Sequence, residues 1–103
     1  MPAMEIHTRG ELVHWRGPAP FHFVSLPIVK SAMIQKLAPQ LTYGWGAIPV
    51  TVTIGETTFK TSLFPKNGLY LVPIKNVVRD AEQLELGRMV SLRLTLKLRE
   101  ASR

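Results

Sequence analysis

Apolar and polar residues alternate with a period of two along much of this chain. The clearest run lies near the end, where Val90, Leu92, Leu94, Leu96 and Leu98 alternate with Ser91, Arg93, Thr95, Lys97 and Arg99. Successive side chains of a strand point to opposite faces, so this run predicts a long strand with one buried wall and one wet, basic wall. Ile48, Val50, Val52 and Ile54 alternate with Pro49, Thr51 and Thr53 in the same manner, which predicts a threonine-lined outer face. The "GET" turn leads into "TFKTSLF", and the two strands form a hairpin. At "PKNG", Asn67-Gly68 supplies the positive φ angles that a type I′ or II turn demands. The strand "LYLVPI" follows, with Pro73 marking a strand edge or exit because proline cannot donate to a ladder. Earlier, "EIHTRGELVHW" (5–15) and "FHFVSL" (21–26) read as two more strands, the first bulged or bent at Gly10.

Two segments break the period. Pro27 suits the first position of a helix, Val29, Met33 and Leu37 recur at intervals of four, and Pro39 stops the run. This predicts a helix of about three turns whose apolar stripe lies on the sheet or caps a barrel. The second segment, "KNVVRDAEQ", reads as a short helical turn, and "TYGWGA" as a glycine-framed loop. The expectation is a mainly β fold, a small six-stranded closed or partly open β-barrel with two short helices, spanning 1–103 as a single domain. Closure removes the edges that so many short strands would otherwise expose.

Composition narrows the function classes. With 46% hydrophobic residues the chain is globular rather than disordered. No apolar run approaches the roughly 18 residues needed to cross a bilayer. The opening "MPAMEIHTRGE" lacks the basic-then-apolar order of a secretory signal, so the expected compartment is the cytoplasm. Without cysteine, disulfides, thiolate zinc sites and sulfur redox chemistry are excluded.

The placement of the net charge of +6 changes the picture further. Between Leu12 and Arg79, Glu56 is the one acid against Arg16, Lys30, Lys36, Lys60, Lys66, Lys75 and Arg79. The flanks nearly cancel, so the field is positive in the middle of the chain and attracts anions, acidic protein surfaces or nucleic acid.

The stretches "FHFVSLP", "GWG", "TIG", "TSLFP" and "LVPIK" followed by "VR" stand in this order from about Ile6 to Leu98. In this the chain resembles the bacterial family called domain of unknown function nineteen-oh-five. The resemblance implies a small six-stranded barrel with short helices and no established activity. Members of that family often precede a second, bacteriocin-protection-type domain, and they usually carry an acid where this chain has Arg88. Over about a quarter of the chain, "YLVPIKNVVRDAEQLELGRMVSLRL" is also similar in plan to the swapped-hairpin barrels of bacterial transition-state regulators, which bind DNA as dimers.

Candidate chemistry is sparse. His7 and His14 are seven apart, hence on opposite faces of a regular strand, and few carboxylates stand by to complete a metal shell with them or with His22. Neither a metal nor a cofactor is expected. Glu56 has no acidic partner in the central region for paired-carboxylate catalysis, and the ring in "GWG" obstructs a phosphate loop, so the chain reads as no enzyme. The strongest constellation is Lys75, Arg79, Tyr43, Trp45, Thr61 and Ser62, with Lys75 and Arg79 on one helical face and helix amides beside them to hold an anion. Strand alternation allows only one of Thr61 and Ser62 to face it. The preferred reading is a binding or interaction module whose basic "IKNVVR" corner takes an anionic small molecule or acidic protein. The alternative is a DNA-binding regulator-like barrel, with Arg93, Lys97 and Arg99 as its phosphate-contacting face and no aromatic platform interleaved among them.

Overall fold

Period-two stretches become strands and the two exceptions become helices, in a computed structural model that describes residues 3–17, 21–41 and 48–97, with the side chains of all but 38–41. In chain order the elements are β1 (Ala3–Trp15), β2 (Phe21–Ser25), α1 (Ile28–Leu41), β3 (Ile48–Ile54), β4 (Thr57–Lys66), β5 (Leu69–Ile74), α2 (Asn76–Glu82) and β6 (Met89–Lys97). The strands close into an antiparallel barrel in the order β1-β2-β5-β4-β3-β6. Closure depends on the length of β1, which pairs with β6 over Ala3–Glu11 and with β2 over Leu12–Trp15. All six strands belong to one chain, so no exchange of hairpins between two chains is needed to complete the barrel.

Gly10 sits where β1 changes partner. The expected bulge is not found there, because burial alternates without a break through Ile6, Thr8, Gly10 and Leu12. A glycine is required for a different reason. A Cβ at this position would lie 2.5 Å from both the Ser25 carbonyl oxygen and Val24 Cγ1, so β1 and β2 approach as closely as they do only without a side chain.

Both expected hairpin turns occur with two-residue loops. Gly55 (φ +58°) precedes Glu56 between Ile54 and Thr57, with positive φ at the first position only, as a type II′ turn needs. Asn67 and Gly68 both have positive φ, the type I′ pattern. The strand prolines stand where a partner is lost on one side. The pairing of β3 with β6 starts at Thr51, beyond Pro49; that of β4 with β3 ends at Leu63, before Pro65; and that of β5 with β4 ends at Leu71, before Pro73.

The inward positions fill the barrel: Ile6, Leu12, Val24, Val52, Leu63, Val72, Leu94 and Leu96 are among the buried side chains. Each contributes about 1.5–3 kcal/mol through removal from water. The helices plug the two ends. α1 runs from the end of β2 to the start of β3 and buries Ile34; α2 follows β5 and buries Val78.

The predicted stripe on α1 is corrected. Val29 is 73% exposed and Met33 is also exposed, while Ser31, Ile34 and the half-buried Leu37 face the barrel. A helix offers two apolar diagonals here, and the one carrying Ser31 docks because its hydroxyl bonds to β5. Nor does Pro39 stop the helix, which continues to Leu41. In the last turn its missing N–H removes a single bond, to the Gln35 carbonyl. Among the described residues no helix is long and apolar enough to cross a membrane.

Candidate functional site

Register builds the site at the end of the barrel that α2 covers. In the β1–β2 ladder Leu12 pairs with Val24 facing inward, so His14 and His22, two residues further along each strand, pair on the same side. Their rings lie 4.6 Å apart, centroid to centroid. The next strand, β5, places Ile74 opposite His22. Immediately after Ile74 the chain turns into α2, and this carries Arg79 back toward the imidazoles.

Arg79 is half-buried and its Nη2 donates to Asn76 Oδ1 at 2.9 Å. Its Nε is closed off from solvent and meets no acceptor among the described residues. A buried N–H without a partner costs roughly 1–3 kcal/mol, more on a charged group, and calls for an explanation. The pKa of His22 is held below its ordinary value, first by burial and then by the positive charges of Arg79 and His14. No acid among the described residues counters them. Glu82, the carboxylate of α2 nearest the barrel rim, accepts from the Thr57 hydroxyl and from the Glu56 amide at 3.3 Å. Asp80 is exposed.

The sequence-predicted constellation is brought together only in part. Lys75 is the N-cap of α2 and Arg79 stands one turn further on, with the Lys75 carbonyl accepting the Arg79 amide at 3.0 Å and the Lys75 side chain exposed. Of the helix-end amides, Val78 N–H also bonds the Lys75 carbonyl, at 3.0 Å, and the Lys75 side chain does not cap the helix. Thr61 and Ser62 belong elsewhere. Thr61 lines a separate groove of about 250 Å³ with Thr51, Lys60, Thr95 and Lys97, and Ser62 is exposed opposite Pro49 on the outer wall. Tyr43 and Trp45 lie outside the described residues.

Sequence reasoning assigned His14 and His22 no role. Their separation, eight residues with a turn between, would have revealed the pair only once the β1–β2 register was known.

The predicted nucleic-acid face is diluted. Arg93 and Lys97 do point outward on β6, and Arg99 lies outside the described residues. Across the ladder, however, Glu5 stands 3.7 Å from Arg93 Nε and 3.2 Å from His7 Nε2, and Arg88 is 3.2 Å from Glu85. A shallow depression of about 700 Å³ covers this wall, lined by His7, Arg9, Thr53, Ser91 and Arg93 among others. It contains no buried polar group lacking a partner among the described residues, and one of its cations is already met by an acid. The aromatic residues gather on a different wall. Phe21 lies 5.6 Å from Phe23 and 5.9 Å from Phe64, and Lys66 Nζ sits 3.7 Å above the Trp15 ring. No three His, Asp or Glu among the described residues come close enough to share a metal ion.

Comparison with known proteins gives one result. The model of the family described as domain of unknown function (DUF1905) matches residues 9–94, and the chain belongs to this family. No curated protein matches it.

Proposed function

We propose that this chain is a non-catalytic binding module of the cytoplasm that holds an anionic ligand at the α2 end of its barrel, between Arg79 and the His14–His22 pair, with Lys75 at the rim. One observation carries the reading: Arg79 Nε is enclosed without an acceptor beside two imidazoles, and no carboxylate among the described residues faces the group. A bound anion would supply the missing acceptor and cancel the crowding of positive charge. The surplus of cations between Leu12 and Arg79 supports it by drawing anions toward the module.

Thermal melts in a neutral, non-coordinating buffer with added phosphate, nucleotides or short acidic peptides test the proposal. A ligand at about a hundredfold its Kd stabilises by about 2.7 kcal/mol, which is readily seen as a raised Tm. At least one of these anions is expected to raise the Tm of the native chain and to leave an Arg79→Ala variant unmoved. A Tm insensitive to all of them would overturn the reading. Salt-sensitive gel shifts that survive Arg79→Ala but fail in an Arg93→Ala/Lys97→Ala variant would favour the nucleic-acid alternative instead.

A further inference from the structure

The outside of the barrel is not uniform. On β3 and β6 the outward positions include Thr51, Thr53, Ser91, Arg93 and Thr95, as a wetted wall should. On β2, β5 and β4 they include Phe21 and Phe23, Leu71 and Pro73, and Phe64. We infer that this second wall is a stacking platform for single-stranded nucleic acid, with bases laid on Phe21, Phe23 and Phe64 and backbone phosphates met by Lys60, Lys66 and Arg16.

The rings form one connected layer. Trp15 pairs with Phe21 across the β1–β2 ladder, Phe21 lies 5.6 Å from Phe23 and 5.9 Å from Phe64, and Lys66 Nζ sits 3.7 Å above the Trp15 ring. A side chain at Gly17 would run into that indole, so the chain leaving β1 passes close against it. The barrel core does not need this layer. Leu71, the buried side chain of the wall, pairs with Phe64 and stands apart from the core cluster. The three phenylalanines are half-buried and lie flush with the sheet. Such a surface offers a base a face to stack on, and it projects nothing that could enter a lipid layer.

Charge selects the occupant. β2, β5 and β4 contain no acid. Lys60, Ser62, Phe64 and Lys66 follow one another at every second position of β4, so two cations bracket a hydroxyl and a ring on one face. Arg16 is exposed directly after Trp15. Glu56, the one acid between Leu12 and Arg79, stands beyond the end of β4 opposite to Lys66. The cation–π contact with Trp15 keeps Lys66 at the edge of the ring layer. An acid-free wall of rings and cations suits a polymer that alternates flat bases with phosphates, and every base has a π-face to offer it.

Fluorescence anisotropy of labelled oligonucleotides of about 15 nucleotides, titrated with the full chain at low and moderate salt, tests this. A single strand is expected to bind at least about fivefold more tightly than a duplex or an abasic strand of the same length. The logarithm of affinity should fall with the logarithm of salt with a slope of about −2 for three phosphate contacts, and Lys66→Ala should flatten it by about 0.7. Phe21→Leu and Phe64→Leu keep an apolar side chain but lose the ring, and each should weaken binding at least about fivefold. Circular dichroism confirms their fold, and the abasic strand probes stacking on the native chain whether or not they fold. An abasic strand or a duplex bound as tightly as the single strand would overturn stacking. Binding lost in Arg93→Ala/Lys97→Ala but kept in both leucine variants would move the contact to β6 and overturn this wall. Displacement of the oligonucleotide by an acidic polypeptide, as effective as by a second oligonucleotide, would assign the wall to a protein partner instead. No binding even at low salt would overturn the inference, while the Arg79 anion site is read separately by the thermal melts.

Discussion

Ser31 on α1 completes the hydrogen bonding of Tyr70 on β5: its Oγ accepts the Tyr70 amide at 3.0 Å and donates to the Leu26 carbonyl at 3.4 Å. Leu26 N–H bonds the Tyr70 carbonyl at 2.9 Å, so the β2–β5 ladder runs one step beyond the end of β2. The hydroxyl stands where the next strand carbonyl would have been. Ser31→Ala is expected to orphan a buried N–H and destabilise the fold by about 1–3 kcal/mol in chemical denaturation. An unchanged denaturation midpoint would show that α1 does not dock through this bond.

A second clamp holds the other end. Glu82 on α2 accepts from Thr57 and from the Glu56 amide, across the β3–β4 turn. Gly55 in that turn has φ +58°, and a Cβ there would run into the Glu82 carboxylate. Gly55→Ala therefore combines backbone strain of about 1–2 kcal/mol with a broken clamp. Glu82→Ala breaks the clamp alone, and Gly55→Ala should be the more damaging of the two in thermal melts.

The exposed diagonal of α1 and the barrel core should respond oppositely. Leu94→Ala removes a side chain that is fully buried on the inward wall of β6 and should cost about 2–5 kcal/mol. Val29→Ser, on the solvent side of α1, should change stability by no more than about 0.5 kcal/mol in either direction. Were Val29→Ser strongly destabilising, the orientation of α1 would be wrong.

The strands were readable because a barrel with one wet and one dry wall writes its period directly into the chain, as in Val90 to Leu96 on β6 and Ile48 to Ile54 on β3. The turns at Gly55-Glu56 and Asn67-Gly68 were readable because few residues tolerate positive φ. Helix α1 was readable as a helix but its docking face was not, since Val29/Met33/Leu37 and Ser31/Ile34/Leu37 are both plausible helical diagonals. A serine hydroxyl serving as a ladder acceptor chose between them, and no hydropathy pattern records that. Of the site, Lys75 and Arg79 were legible as a helical pair. The imidazole pair depends on the β1–β2 register, and the enclosure of Arg79 Nε depends on where α2 comes to rest. Both are tertiary facts with no local signature.

Acidity supplies a further check in the absence of any ligand. The pKa of His22 is lowered in the folded state, so the unfolded chain takes up the proton first as pH falls through about 6.5, the ordinary histidine value. The stability tied to His22 is present above that value and is lost on descent through its lower folded pKa. In buffers free of sulfate and phosphate, the Tm should therefore decline below about pH 6.5. In His22→Gln that decline should be smaller. An equal decline in both proteins would remove His22 as its cause.

The most direct measurement is of Arg79 itself. In a ¹H–¹⁵N spectrum the Nε–H group of an enclosed arginine gives its own resonance, assignable by its loss in Arg79→Lys. Titration with phosphate near pH 6 should move that resonance in a saturable way, together with the ring signals of His14 and His22, while the Arg93 side chain stays still. An Arg79 Nε–H signal that does not respond to phosphate, sulfate or acidic peptides, or one that moves only in step with Arg93, would contradict an anion site at this end of the barrel.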